Sequence, residues 1–269
     1  MIAAVISIGY FAACAMPITG AEADVAATAG GPAQILQVNK FWDDNEWKVL
    51  ALTNKTRLAH GLLPLSTIEL LQTVSEIRTN ELTVSTSHIR PDGRKCFTVF
   101  DDFNAHTPGY YGENLAAGLM MTPEVVFEAW MNSPKHKEHI LSSEYARMGV
   151  GYTYRDNDIY GNYWEQMFTS ASEITSTSIG MVSPRAKIGT ISTIDDLGLV
   201  LIQYSYGEVV GYMPIVSEMC SVCAGAETGY QRVIVKYGDL AASFDVALGG
   251  PVSNLFRSGM ISAYERSEF

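Results

Sequence analysis

Residues 122–141 read TPEVVFEAWMNSPKHKEHIL and contain two helix starts in succession. Thr122 stands before a proline, as an N-cap stands before proline at the first helical position, and Ser133 repeats this arrangement. The stretch therefore predicts a helix to about Met131, followed at once by a short helix in which His136 is the third residue.

Two further helices are expected upstream of this stretch. The first runs from Asp43 to His60 and ends at Gly61, a residue suited to a C-terminal cap. Its inward positions recur at helical spacing and are Trp47, Leu50, Asn54 and Leu58. The second opens at residues 66–69 (STIE), which have the form of a capping box. Its inner face is expected to carry Leu70, Val74 and Ile77.

Between the helices and after them, the chain has turn and strand patterns. His88 lies where the chain leaves the second helix and bends, in residues 87–93 (SHIRPDG). Residues 148–154 alternate as a strand does, and residues 163–168 return as a second strand after a turn. Helices followed by antiparallel strands predict an α+β fold.

The two ends of the chain have a different composition. Residues 1–23 are apolar and then small, as in a secretory signal peptide, and residues 24–40 form a linker rich in alanine and glycine. The Ser/Thr-rich residues 172–188 suit a domain boundary. A small all-β module is expected over residues 189–250, with a loosely ordered tail over 251–269. Its four strands are predicted at residues 197–206, 208–216, 230–237 and 240–248.

Charge and cysteine content narrow the possible functions. The net charge of −11 argues against nucleic acid as a partner, because phosphate binding needs a basic face. No stretch of the mature chain is long and apolar enough to span a membrane. Cys220 and Cys223 form a close pair that favours a local disulfide or two buried thiols. A redox site, or half of a zinc site, is an alternative.

Five motifs in order resemble one known family. They are residues 87–93 (SHIRPDG), 112–116 (GENLA), 129–136 (AWMNSPKH), 148–151 (MGVG) and 163–168 (YWEQMF). Together they are similar to the CAP superfamily of cysteine-rich secretory proteins, antigen 5 and pathogenesis-related proteins, in its bacterial, SCP-like extracellular form. The resemblance covers a domain over residues 41–172 and implies a three-layer α-β-α sandwich.

The resemblance also implies a cleft lined by two histidines and two acidic residues, which in some members holds a divalent metal such as zinc. His88, Glu113 and His136 match three of these positions. The fourth position is occupied by Ser133, so Glu124 or Glu128 on the preceding helix is the alternative acidic ligand. These three matched residues are the candidate metal ligands and the candidate catalytic groups. His139 is expected to be exposed on another side of the same helix.

Three functions agree with these observations. The first is a secreted or cell-surface, non-catalytic binding protein that takes an extracellular ligand, namely a lipid, a peptide or a cell-surface component. The second is a divalent-metal-dependent hydrolase that acts on extracellular peptide or cell-wall material. The third is a structural role, with the β-module as an adhesion element. The absence of a G-x-S-x-G or H-E-x-x-H motif favours binding over catalysis.

Overall fold

The structure is a computed structural model, and it describes residues 44–106, 108–170, 178–182, 194–206, 208–224, 231–246 and 262–263. The expected signal peptide and linker lie outside the described residues, as does most of the expected tail. Within the described part of the chain, no helix is long and apolar enough to cross a membrane.

Four α-helices form in the first half of the described chain. They are α1 (Asp44–Ala59), α2 (Glu69–Leu82), α3 (Pro123–Asn132) and α4 (Pro134–Ile140). The predicted proline start of α3 is confirmed, since the Thr122 side chain accepts a hydrogen bond from the backbone N–H of Val125. Gly61 follows α1 with a φ of 72°, a left-handed conformation that favours glycine.

The predicted capping box of α2 is wrong. Ile68 is the N-cap residue and makes no side-chain capping bond. Ser66 and Thr67 instead form isolated bridges, with Arg147 and with Tyr212. Of the residues expected on the inner face of α2, Val74 is buried, whereas Leu70 and Ile77 are half-buried. The buried face also includes polar residues. Its buried residues are Leu71, Gln72, Val74, Ser75, Arg78, Thr79 and Leu82.

A three-stranded antiparallel sheet stands beside these helices in the order β1-β3-β2. The strands are β1 (Tyr111–Gly118), β2 (Arg147–Tyr154) and β3 (Asn162–Thr169). The sequence patterns predicted β2 and β3 but not β1, which contains the GENLA motif. The register pairs Glu113 of β1 with Met167 of β3, and Asn114 with Gln166.

Because successive side chains of a strand point to opposite faces, β3 contributes to two layers. Trp164 and Phe168 pack in a cluster with residues of α1 and α3, whereas Met167 packs with Leu71 and Val74 of α2. Helices therefore cover both faces of the sheet, and the predicted α-β-α sandwich is confirmed.

All the strands that the structure describes beyond residue 170 form two antiparallel sheets. One has the order β4-β5-β6, with β4 (Ser178–Val182), β5 (Val200–Ser205) and β6 (Glu208–Pro214). The other has the order β10-β9-β8-β7, with β7 (Cys220–Ala224), β8 (Gln231–Tyr237), β9 (Leu240–Val246) and β10 (Ser262–Ala263). An apolar core joins the two sheets, and it includes Leu201, Met213, Val233 and Phe244.

The C-terminal strands confirm an all-β region and correct its details. Strand β4 lies within residues 172–188, where a boundary without regular structure was expected, and β10 lies within the expected tail. Strand β7 was not predicted. Cys220 and Cys223 lie three residues apart on the extended strand β7, so their Cα atoms are about 10 Å apart. This separation exceeds the reach of a disulfide, roughly 7 Å, and Cys220 is a free, half-buried thiol.

Candidate functional site

A tight loop brings His88 and Cys96 together. The Pro91-Asp92-Gly93 turn folds the chain back, with Gly93 at a φ of 87°. Behind the turn, the backbone N–H of Cys96 donates a hydrogen bond to the carbonyl oxygen of His88, at 3.0 Å. Residues 88 and 96 therefore stand opposite each other across the loop.

Strand β1 presents Glu113 to this loop from the face of the sheet that α2 covers. Glu113 is buried, and its two carboxylate oxygens accept hydrogen bonds from different side chains. Arg78 Nε donates to Oε1 at 2.8 Å, and His88 Nδ1 donates to Oε2 at 2.6 Å. The Glu113 carboxylate thus joins a buried guanidinium to an imidazole whose side chain is 60% exposed.

Arg78 holds this arrangement from α2. Its guanidinium is fully buried and also donates to Glu81 and to the carbonyl oxygen of Ser87. The Ser87 contact fixes the backbone immediately before His88. Arg78 therefore positions both Glu113 and the loop, a role that the sequence patterns did not indicate.

Cys96 completes a cluster that the sequence analysis missed. Its thiol is free and buried, and its sulfur lies within 4.8 Å of ligand atoms of His88 and Glu113. These three residues could hold a metal ion. Burial raises the pKa of the Cys96 thiol to about 12, and the nearby Glu113 charge adds to this effect. The signal in the sequence was the turn at residues 91–93, which places a residue of the return segment beside His88.

The third predicted ligand, His136, comes from α4 and does not belong to this cluster within the described residues. Its imidazole is half-buried, and burial lowers its pKa, with smaller contributions from His88 and His139. A neutral His136 is the form that can bind a metal or accept a proton.

His139 is half-buried, so the expectation that it is exposed is wrong. Its Nδ1 donates to Asn114 Oδ1 at 3.0 Å, and its ring packs against Tyr145 and Phe168. Asn114 in turn donates to Gln166 Oε1 and to the carbonyl oxygen of His136. The asparagine of the GENLA motif therefore fastens α4 to the sheet.

The residues considered for the fourth ligand position lie outside the His88, Cys96 and Glu113 cluster. Ser133 joins α3 to α4 as the cap residue of both helices. Glu124 and Glu128 are exposed on α3, and Glu124 forms an ion pair with Lys48 of α1. Among the residues that the structure describes, the metal-ligand cluster includes neither glutamate.

A second buried carboxylate lies on the same face of the sheet. Glu165 of β3 is fully buried, and within the described part of the chain neither of its oxygens has a hydrogen-bond partner. Burial raises its pKa well above the ordinary value of 4.5, and the charge of Glu113 raises it further. Glu165 therefore keeps its proton to a higher pH than an ordinary glutamate does.

The α-β-α sandwich and the pair of His88 and Glu113 define a class of small domain. Buried Arg78 holds this pair in place. Residues 50–168 match the family model described as "CAP: Cysteine-rich secretory protein family". The resemblance to the CAP family that the five sequence motifs indicated is therefore confirmed for this part of the chain.

The relatives of this domain include bacterial proteins. YkwD of Bacillus subtilis, an uncharacterized protein, is 34% identical over 125 residues, which are 46% of this chain and 46% of YkwD. The chain thus matches about half the length of this curated relative.

Solved structures of SCP or cysteine-rich secretory proteins are also similar. An extracellular protein with an SCP domain from Bacillus anthracis is 22% identical, with a TM-score of 0.41, over 52% of this chain and 44% of that one. A cysteine-rich secretory protein from Staphylococcus aureus is 21% identical, with a TM-score of 0.39, over 47% of this chain and 38% of that one.

Proposed function

We propose that this chain is a secreted or cell-surface binding protein without catalytic activity, and that its CAP domain takes an extracellular ligand at the pocket around His88 and His136. The observation that carries the proposal is that both carboxylate oxygens of Glu113 already accept hydrogen bonds, one from Arg78 and one from His88. A carboxylate held on both oxygens orients the imidazole and is poorly placed to accept a substrate proton.

The state of Cys96 also favours binding. A thiol with a pKa of about 12 is protonated at neutral pH, and the thiolate is the nucleophilic form of cysteine. His88 is exposed, and its bond to Glu113 occupies Nδ1, so Nε2 is the ring nitrogen that a ligand can reach. An oriented imidazole beside a protonated thiol suits recognition better than turnover.

The secretory name of the family and the apolar N-terminal residues support export. We extend the proposal to the domain organisation, with the CAP domain over residues 41–172 followed by a small β-rich module. The module was predicted over residues 189–250, and its sheets also include β4 and β10. The ligand of the whole chain is a lipid, a peptide or a cell-surface component, and it is met outside the cell.

The second candidate is a divalent-metal-dependent hydrolase of extracellular peptides or cell-wall material. It is favoured by the hydrogen bond between His88 and Glu113, because metal-ligating histidines usually donate their other ring N–H to a carboxylate. His88, Glu113 and His136 would hold zinc in this case, the two histidines by direct ligation and Glu113 by fixing the ring of His88. A bound zinc would lower the pKa of its water for hydrolysis, as in other zinc hydrolases.

A zinc titration tests both candidates. Metal-stripped wild type and the double variant His88→Ala/His136→Ala are titrated with Zn²⁺ by calorimetry, and the zinc-loaded wild type is assayed on peptides and on cell-wall material. We expect saturable binding in the wild type, its loss in the double variant, and no turnover. Turnover that His88→Ala abolishes would replace the binding proposal with the hydrolase. Equal zinc binding by both proteins would remove the pocket as a metal site.

A further inference from the structure

The His88, Cys96 and Glu113 cluster combines three kinds of metal ligand from two segments of the chain. The loop supplies the imidazole and the thiol, and β1 supplies the carboxylate. Glu113 and Cys96 are 3% and 5% exposed, whereas the His88 side chain is 60% exposed. Two ligands are thus buried and fixed, and the third lies at the surface, where an ion can enter.

The chemistry of these ligands favours one class of metal. Thiolate sulfur and imidazole nitrogen select borderline and soft cations such as Zn²⁺ and Cd²⁺. Ca²⁺ and Mg²⁺ require several oxygen ligands, whereas the cluster offers the oxygens of one carboxylate, which accept from Arg78 and His88. The donor set therefore fits a thiophilic cation and does not fit a hard one.

We infer that Cys96 is a metal ligand, and that the pocket binds a thiophilic divalent cation through His88, Cys96 and Glu113. The inference rests on the proposed function, because it names the cation that the binding pocket takes. Binding forms a sulfur–metal bond and releases the thiol proton of Cys96 to solvent. The exposed ring of His88 gives up its hydrogen bond to Glu113 Oε2, so that both side chains face the ion, and Arg78 keeps its hydrogen bond to Oε1.

Cadmium titration monitored by ultraviolet absorbance tests the inference, because a cadmium–thiolate bond gives a charge-transfer band that imidazole and carboxylate ligands do not give. The full chain carries Cys14, Cys96, Cys220 and Cys223. The probe protein is therefore the triple variant Cys14→Ser/Cys220→Ser/Cys223→Ser, in which Cys96 is the single thiol. We expect a band that saturates at one Cd²⁺ per chain and persists in excess Ca²⁺.

The matched variant adds Cys96→Ser to the triple variant and removes the band. His88→Ala in the triple variant weakens cadmium binding by at least roughly 10-fold. Folding of each variant is checked by circular dichroism. A single-thiol protein that is folded and gives no band at saturating Cd²⁺ overturns the inference, even if Cys96→Ser does not fold. Zinc binding that depends on His88 and His136 but not on Cys96 would leave the proposed pocket standing and remove Cys96 from it.

Discussion

The two faces of the β1-β3-β2 sheet bury different kinds of side chain, although the same strands build both. On the face toward α1, α3 and α4, Trp130, Trp164 and Phe168 belong to a large apolar cluster. On the face toward α2, Arg78, Glu113 and Glu165 are buried together beside a small apolar cluster. Alternate residues of β3 thus place Trp164 and Phe168 on one face and Glu165 on the other. The first face also buries Asn114 and Gln166, which are neutral and hydrogen-bonded to each other, whereas the face toward α2 buries charged groups.

The two faces of the sheet therefore have different effects on the stability of the domain. Burial of aromatic area on the apolar face stabilises the sandwich. Burial of charge on the polar face costs desolvation energy, which ion pairing and hydrogen bonds must offset. The polar face nevertheless holds His88 and Glu113 in place. We therefore interpret it as the face where the domain loses some stability in order to position a site.

The largest expected effect comes from breaking the polar face at Arg78. Arg78→Met leaves the buried Glu113 carboxylate without its guanidinium partner, and breaking such a pair costs about 3–5 kcal/mol. Urea unfolding followed by circular dichroism measures the free energy of unfolding of each variant.

The control for Arg78→Met is the double variant Arg78→Met/Glu113→Gln. It should recover part of the loss, because the two residues are in contact and their effects are not additive. A cost below about 1 kcal/mol for Arg78→Met, the range of exposed ion pairs, would mean that this pair is not buried as described.

The contrast between the faces also explains what the sequence could predict. The apolar face follows hydrophobic periodicity, so α1, β2 and β3 were predicted close to their observed bounds. The inner face of α2 was predicted in part, with Val74 but without Ser75 and Arg78, because polar residues give no hydrophobic signal. Strand β1 was missed for the same reason, since Glu113 and Asn114 are its buried residues together with Gly112.

The candidate site was predicted only through its motifs. The GENLA and SHIRPDG motifs identified Glu113 and His88, and the structure joins them by a hydrogen bond. Cys96 could have been found from the turn at residues 91–93, which returns the chain to His88. Arg78 and Glu165 could not, because their roles depend on which faces of α2 and β3 are buried, and no local pattern reports this.

A smaller loss of stability is expected from adding a methyl group on β2 where α2 packs against the sheet. A methyl group added at Gly151 of β2 would meet the backbone carbonyl oxygen of Ser75, which cannot move without shifting α2. Gly151→Ala should therefore cost about 1–3 kcal/mol, as overpacking does in other cores. Thermal and urea unfolding measure this loss.

Gly112→Ala is the matched control from the other face of the sheet. There the added methyl group would meet the hydroxyl oxygen of Tyr145 at 2.6 Å, which is the end of a side chain and not part of the backbone. Its cost should be the smaller of the two. A larger loss of stability for Gly112→Ala than for Gly151→Ala would mean that α2 shifts more readily than the aromatic side chains on the other face.

The smallest expected change in the free energy of unfolding comes from Glu165→Gln, and its size depends on pH. Because the pKa of Glu165 is raised in the folded state, the folded protein retains a proton that the unfolded chain loses above about pH 4.5. Its contribution to stability is complete below that pH and is lost as the pH rises toward the folded-state pKa. Glu165→Gln should cost less than about 1.5 kcal/mol at acidic pH, as a nearly isosteric exchange, and should remove this decline.

Urea unfolding of wild type and Glu165→Gln at a series of pH values from 4 upward measures the two slopes, and Glu124→Gln is the control. Glu124 is exposed, with a side chain 61% accessible, so its exchange should leave the wild-type slope unchanged. Parallel slopes for wild type and Glu165→Gln would mean that Glu165 is ionised in the folded protein. The polar face would then carry a second buried negative charge beside Glu113, and Arg78 would have to stabilise both carboxylates.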